Sequence, residues 1–144
     1  MPVPVFNPLQ NQSITSAMVN LTQATADVAT SETTTSTTYA DLATSGPSVS
    51  PASGVTQDML LQLMTNGSHN TTNSRTRVSF NVNAAGASDN DASLNSHGVG
   101  NNMQHNAHML VASYGSGNAT KLQYKVVDAG TGTFVLRRVT AVAV

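Results

Sequence analysis

Apolar and polar residues alternate with a period of two along much of the second half of the chain. Thr76, Val78, Phe80 and Val82 alternate with Arg75, Arg77, Ser79 and Asn81, and Leu122, Tyr124 and Val126 alternate with Lys121, Gln123 and Lys125. Residues two apart share one face of a strand, so each stretch predicts a half-buried strand with one polar face. Met59 to Met64 is the most apolar run and is bounded by Asn66-Gly67, a strong turn signal, after which residues 68–74 read as loop. Residues 84–101, rich in Ala, Ser, Asn, Asp and Gly, read as a long connection with at most one short strand. Residues 103–113 end in the apolar run 108–112, and Gly-containing turns follow at 113–118 and 129–132. Thr133 to Val144 is apolar on both faces, as a central strand requires. Two hairpins in sequence with antiparallel patterning predict an all-β protein, an antiparallel β-sandwich of jelly-roll-like form.

The first half is patterned less clearly. Ala29 to Val49 is nearly uncharged and crowded with threonine. β-branched side chains are cramped in a helix and relieved in a strand. The stretch therefore reads as a polar strand, a break around Tyr39 to Asp41, and a turn at Ser45-Gly46-Pro47. Pro51 demotes Val49 to Val55 to an edge or a turn. Residues 1–12 carry Pro2, Pro4 and Pro8, which favour an extended arm. The arm's apolar side chains, Val3, Val5, Phe6 and Leu9, need a surface to cover, either the chain's own core or a neighbouring subunit. Ile14, Ala17, Met18 and Leu21 fall at helical spacing behind Ser13, a candidate N-cap, so a short helix over 14–24 is expected, weakened by Thr15 and Thr22. The expected organisation is an N-terminal arm over 1–26 and a β-sandwich domain over 27–144.

Composition narrows the function. Only 9% of the 144 residues are charged and the net charge is −1. Ser, Thr and Asn make up about a third of the chain. Copies of such a protein repel one another weakly. The six basic residues are scattered as Arg75, Arg77, Lys121, Lys125, Arg137 and Arg138, with no cluster to neutralise phosphates, which argues against nucleic-acid binding. No apolar run approaches a membrane span, and the first residues lack the basic and apolar regions of a secretory signal. There is no cysteine, hence no disulfide and no thiolate metal site.

Two segments resemble a known module. ATSETTTSTTYADLATSGPSV (29–49), with its Tyr39-Ala40-Asp41-Leu42 turn, is similar to the opening of a β-sandwich module common in structural proteins of tailed bacteriophages. YKVVDAGTGTFVLRRVTAVAV (124–144) is similar to its closing hairpin, with the Ala129 to Thr133 turn and the paired Arg137-Arg138. The likeness covers about 40 residues and is loose in the middle. It implies a sandwich fold and a place in a virion, and it carries over no active-site residue.

Candidate chemistry is sparse. His105-x-x-His108 has metal-ligand spacing on a helix, but on a strand residues three apart face opposite ways. His69 and His97 could join them only through loops, so the histidines read as polar surface or interface residues and no metal is expected. Asp89-Asn90-Asp91 starts like a calcium loop, yet Gly100 stands where the twelfth-position glutamate belongs. No serine sits in a nucleophile elbow and no glycine pattern forms a phosphate loop, so neither a catalytic site nor a cofactor is expected. Arg137 and Arg138 place one guanidinium on each strand face, and three readings stand level: one of them buried against Asp128 or Asp27, one crossing a subunit boundary, or both solvated. Val3, Val5, Phe6, Leu9, Arg137 and Arg138 are the expected assembly contacts.

The expected function is therefore that of a non-enzymatic phage virion protein, a capsid decoration, cement or minor capsid protein bridging neighbouring subunits. Its expected partners are a major capsid or tail protein and further copies of itself, as a trimer. The competing expectation is a tail-tip or tail-fibre module that recognises host surface glycan. Deleting residues 1–12 is expected to leave the sandwich folded and to weaken assembly. Unchanged association of the truncated protein, measured by sedimentation, would make the arm a strap over its own core.

Overall fold

The computed structural model describes residues 23–50, 56–115 and 117–144. Among these residues, nine strands and one short 3-10 turn form: β1 (Gln23–Val28), β2 (Glu32–Thr34), β3 (Ser48–Val49), β4 (Gln57–His69), β5 (Ser74–Val82), the turn Asp89–Asp91, β6 (Ala92–His97), β7 (Met103–Tyr114), β8 (Thr120–Val126) and β9 (Gly132–Ala143). They form two antiparallel sheets. One has the order β1-β9-β4-β7, with β2 also pairing β9, and the other has the order β3-β8-β5-β6. The protein is an all-β sandwich of jelly-roll-like form, as the alternation predicts.

The strands at 75–82 and 121–127 lie where the period-two pattern puts them. β4, β5, β8 and β9 send Met59, Leu61, Val78, Phe80, Leu122, Tyr124, Phe134 and Val139 into one core. The short strand expected within 84–101 is β6. β9 is central, with β1 and β2 on one side and β4 on the other, while its outer face stays half-buried or exposed.

Three expectations are corrected. Asn66-Gly67 makes no turn: β4 runs straight through it to His69, with Asn66 and Gly67 paired to both β7 and β9. Gly67 answers to packing, because a Cβ there would stand 2.7 Å from His105 Nε2. The two C-terminal hairpins are not hairpins either. β7 pairs β4, β8 pairs β5 and β9 pairs β1, β2 and β4, so the Gly-containing turns at 113–118 and 129–132 are corners that carry the chain from one sheet to the other. The long polar strand expected after Ala29 shrinks to Glu32–Thr34, and residues 36–47 follow the edge of β8, accepting backbone hydrogen bonds from Val126, Tyr124 and Leu122, with Ala40 also donating back to Tyr124. The turn at Ser45 to Pro47 stands, with Gly46 at φ +102.

The sheet begins at Gln23, so residues 23–26, expected in the arm, belong to β1. Residues 23 and 24 of the expected helix are strand. The rest of that helix, the proline arm with Val3, Val5, Phe6 and Leu9, and residues 51–55 lie outside the described residues.

Both core phenylalanines are buried, Phe80 in one sheet and Phe134 in the other. Phe80→Ala and Phe134→Ala are each expected to cost about 3–5 kcal/mol in urea unfolding. A loss under about 1 kcal/mol at both sites would contradict the packing.

Candidate assembly surface and buried polar sites

Charge is segregated between the two outer faces of the sandwich. None of the six Lys and Arg or seven Asp and Glu residues lies outside the described residues. β5 and β8 turn Arg75, Arg77, Lys121 and Lys125 to solvent, and each is ion-paired. Arg75 holds Asp128 at 2.8 Å, Lys121 holds Asp41 at 2.6 Å, and Arg77 and Lys125 share Asp89, Lys125 at 2.7 Å. Lys125, then Arg77, hold the Asp89 carboxyl well below the usual carboxylate range. The acidic start of the suspected calcium loop is thus occupied by the protein's own cations. The Tyr39 hydroxyl also donates to Asp89, at 2.9 Å.

The outer face of the other sheet is built differently. Its cross-strand pairing lines up Leu110, Leu60 and Val142 in one row and His108, Gln62, Thr140 and Thr25 in the next. A third row holds Asn106, Met64, Arg138 and Asp27. Arg138 and Asp27 neutralise each other, at 2.5 and 2.9 Å. Asp58 stands at the margin, accepting the Ser113 N–H. Leu110 is 63% exposed and Leu136 is 54% exposed. A groove of about 350 Å³ opens beside Leu136, lined by Val28, Met64, Asp27 and Arg138. This face offers aliphatic, amide and hydroxyl groups with no uncompensated charge in its three rows.

The arginine pair divides between the faces as expected, but with different partners. A bulge in β9 sets this up: Met64 pairs Arg138 while Asn66 pairs Val135, so β9 fits one residue more than β4. Leu136 takes the strain at φ +53, a left-handed conformation costly for a β-strand leucine. The bulge resets the alternation, and both Phe134 and Arg137 face inward. Arg137 is fully buried, 3.1 Å from Glu32 and within 3.2 Å of the Thr44 carbonyl oxygen, to which it donates. Its guanidinium lies 5.6 Å from the Tyr124 ring centre. The partner is neither Asp128 nor Asp27, which hold Arg75 and Arg138 instead. Glu32 also accepts the Thr44 N–H at 2.9 Å, and Thr44, then Arg137, lower its pKa against the opposing effect of burial.

The histidines are the larger surprise. His105 points inward and His108 outward, as residues three apart on a strand must. His69, His97 and His105 are all buried, not surface residues. His97 at the end of β6 and His105 at the start of β7 meet at Thr76, whose Oγ1 is 2.5 Å from His97 Nε2 and 2.9 Å from His105 Nε2, while His69 lies at the end of β4. Sequence reasoning missed this cluster and the Leu60–Leu110–Val142 row for the same reason: each is assembled across strands distant in sequence. The available signal was the double-faced apolarity of 59–64 and 108–112. Among the described residues, no group of three or more His, Cys, Asp or Glu is placed to hold a metal ion.

Comparison with protein-family models and with curated proteins returns no match. Solved structures are similar in fold. The Eiger TNF of S. frugiperda superposes with a TM-score of 0.56 at 8% identity, over 85% of this chain and 93% of that one. The VP2 protein of an infectious bursal disease virus subviral particle gives 0.53 at 8% identity over 86% of this chain, which spans 33% of VP2. The globular domain of zebrafish complement 1qA gives 0.51 at 8% identity, over 86% and 95%. At such identities these likenesses establish the β-sandwich architecture and nothing finer.

Glu32→Gln leaves a buried guanidinium without its counter-charge and is expected to lower the urea midpoint clearly. Asp27→Asn, which frees the exposed Arg138, should leave the midpoint unchanged, because exposed pairs contribute little. Equal effects of the two substitutions would overturn this division.

Proposed function

We propose that the chain is a non-enzymatic structural protein of a virion, assembling with its own copies and with other virion proteins through the charge-poor outer face of the β1-β9-β4-β7 sheet. The observation that carries this reading is the charge segregation. One face keeps every cation paired in solvent, while the other presents Leu60, Leu110 and Val142 in a cross-strand row among Thr, Gln and Asn. Covering such a face releases apolar surface from water with little charge desolvation. The sandwich likeness to VP2 of a viral particle supports a capsid setting. The resemblance of 29–49 and 124–144 to a tailed-phage module supports the finer reading, a capsid decoration, cement or minor capsid protein, and a closed trimer hides the apolar face without open-ended polymerisation.

The glycan-binding alternative has less support. Sugar sites display open aromatic faces, whereas Phe80, Phe134, Tyr114 and Tyr124 are buried and Tyr39 is tied to Asp89. Leu60→Lys combined with Leu110→Lys is expected to convert an oligomer to a monomer in sedimentation, with an unchanged far-UV circular dichroism spectrum. A wild-type protein that stays monomeric at high concentration and binds no virion component would refute the proposal.

A further inference from the structure

The wiring of the buried histidines determines their tautomers. His105 Nδ1 lies 3.2 Å from the Ser93 carbonyl oxygen, which can only accept, so this nitrogen carries the ring proton and Nε2 is bare. Thr76 has one hydroxyl proton. It donates to His105 Nε2 and accepts from His97, whose proton therefore sits on Nε2. His69 Nδ1 accepts the Thr71 N–H at 3.0 Å, which places its proton on Nε2 as well. Every ring in this arrangement is neutral. Two buried nitrogens, His69 Nε2 and His97 Nδ1, make no close hydrogen bond, though the Asn101 backbone stands near His97.

The cluster also sits at a seam. β6 is the edge of one sheet and β7 the edge of the other. Thr76 of β5 holds both His97 of β6 and His105 of β7, and Ser93 of β6 receives His105 through its carbonyl and the Asn106 N–H through its hydroxyl, at 3.1 Å. We propose that His97 and His105, joined through Thr76, form an acid-released latch, which fastens the edge segment 92–105 across the two sheets while the imidazoles are neutral and frees it when they take up protons.

The geometry supplies the release. A proton on His105 Nε2 opposes the Thr76 O–H donor with a second donor, and one of the two loses its partner. Charging both His97 and His105 sets two cations in rings only 6.0 Å apart between centres. Little compensates them. β9 contributes apolar Phe134, 6.0 Å from the His105 ring, and β4 contributes Gly67. Asp128 in the β8–β9 corner is already held by Arg75 of β5. No carboxylate pairs with His97 or His105 among the described residues. The backbone of Asn101 favours charged His97, and that of Ser93 favours charged His105. Burial outweighs both, lowering His97 and taking His105 from 6.5 to about 4.

Because these folded-state values lie below the unfolded ones, the released state binds more protons between about pH 6.5 and 4, and protection falls as pH falls through that window. Each fully coupled ring contributes up to about tenfold per pH unit. The carboxylates Asp27, Asp41, Asp89 and Asp128, all lowered from 3.8, lose their contribution only at lower pH.

Amide hydrogen exchange of the full chain at pH 7 and pH 5, corrected for intrinsic rates, tests the latch. Protection over 92–105 should drop about tenfold or more at pH 5, while 59–64 and 139–143 keep theirs. Nitrogen-15 imidazole spectra at pH 7 should show His105 protonated on Nδ1 and His69 and His97 on Nε2. His105→Gln, which retains an acceptor for Thr76 and cannot take a charge, should flatten the response. Equal protection of 92–105 at both pH values, or His97 and His105 titrating near 6.5 in the folded protein, would overturn the proposal whether or not the variant folds.

Discussion

The sandwich is organised around a buried guanidinium. Arg137 stands in the core because Leu136 accepts a left-handed backbone, and from there it gathers Glu32 of β2, the carbonyl of Thr44 and the ring of Tyr124. Those groups come from a strand of three residues, an irregular loop and the opposite sheet. A buried ion pair gains little net stability, since desolvation offsets much of the attraction. Its effect is specificity: a charge with one set of partners tolerates one arrangement of the segment 32–47, which has few apolar side chains of its own to hold it in place. That segment in turn covers the exposed edge of β8. The bulge that aims Arg137 inward also turns Arg138 outward to meet Asp27 of β1, so one irregularity fastens β9 to both neighbours on that side.

The interior is unevenly polar. Around Met59, Leu61, Phe80, Leu122 and Val139 it is a conventional aliphatic and aromatic core, whereas toward His69, Thr76, His97 and His105 it is a hydrogen-bonded network. Phe134 touches both regions, with Tyr124 4.9 Å away on one side and His105 6.0 Å away on the other. Buried polar groups demand partners in fixed directions, so the network dictates glycine at 67, where any side chain would meet the His105 ring. Glycine at 130 is under the same pressure. It has φ +133, and a Cβ there would lie 2.5 Å from the His69 ring. The seam between sheets is thus closed by chemistry that depends on proton occupancy, while the rest of the core depends on apolar burial.

Outside, ion pairs crowd one face and are sparse on the other. This distribution separates a surface suited to water from one suited to a protein neighbour. A chain with so few charges cannot cover itself evenly, and placing most of them on β5 and β8 leaves the β1-β9-β4-β7 face available for contact.

Period-two alternation was enough to place the strands at 75–82 and 121–127 and to turn Phe80 inward, because side-chain direction along a strand is a local property. The sequence by itself also separated His105 from His108 and Arg137 from Arg138, since each pair must straddle a strand. What it could not determine was pairing. Asn66-Gly67 has the composition of a turn, and only the neighbours on both sides of β4 keep it extended. The glycine-rich segments at 113–118 and 129–132 suit a hairpin and a corner equally well, because a turn's residues encode local dihedrals and not the sheet its exit joins. The choice of Glu32 for Arg137, the meeting of His97 and His105 at Thr76 and the row of Leu60, Leu110 and Val142 all depend on contacts between residues tens of positions apart. Those contacts exist only once distant strands have paired and the sheets have packed, so the tertiary structure alone decided them.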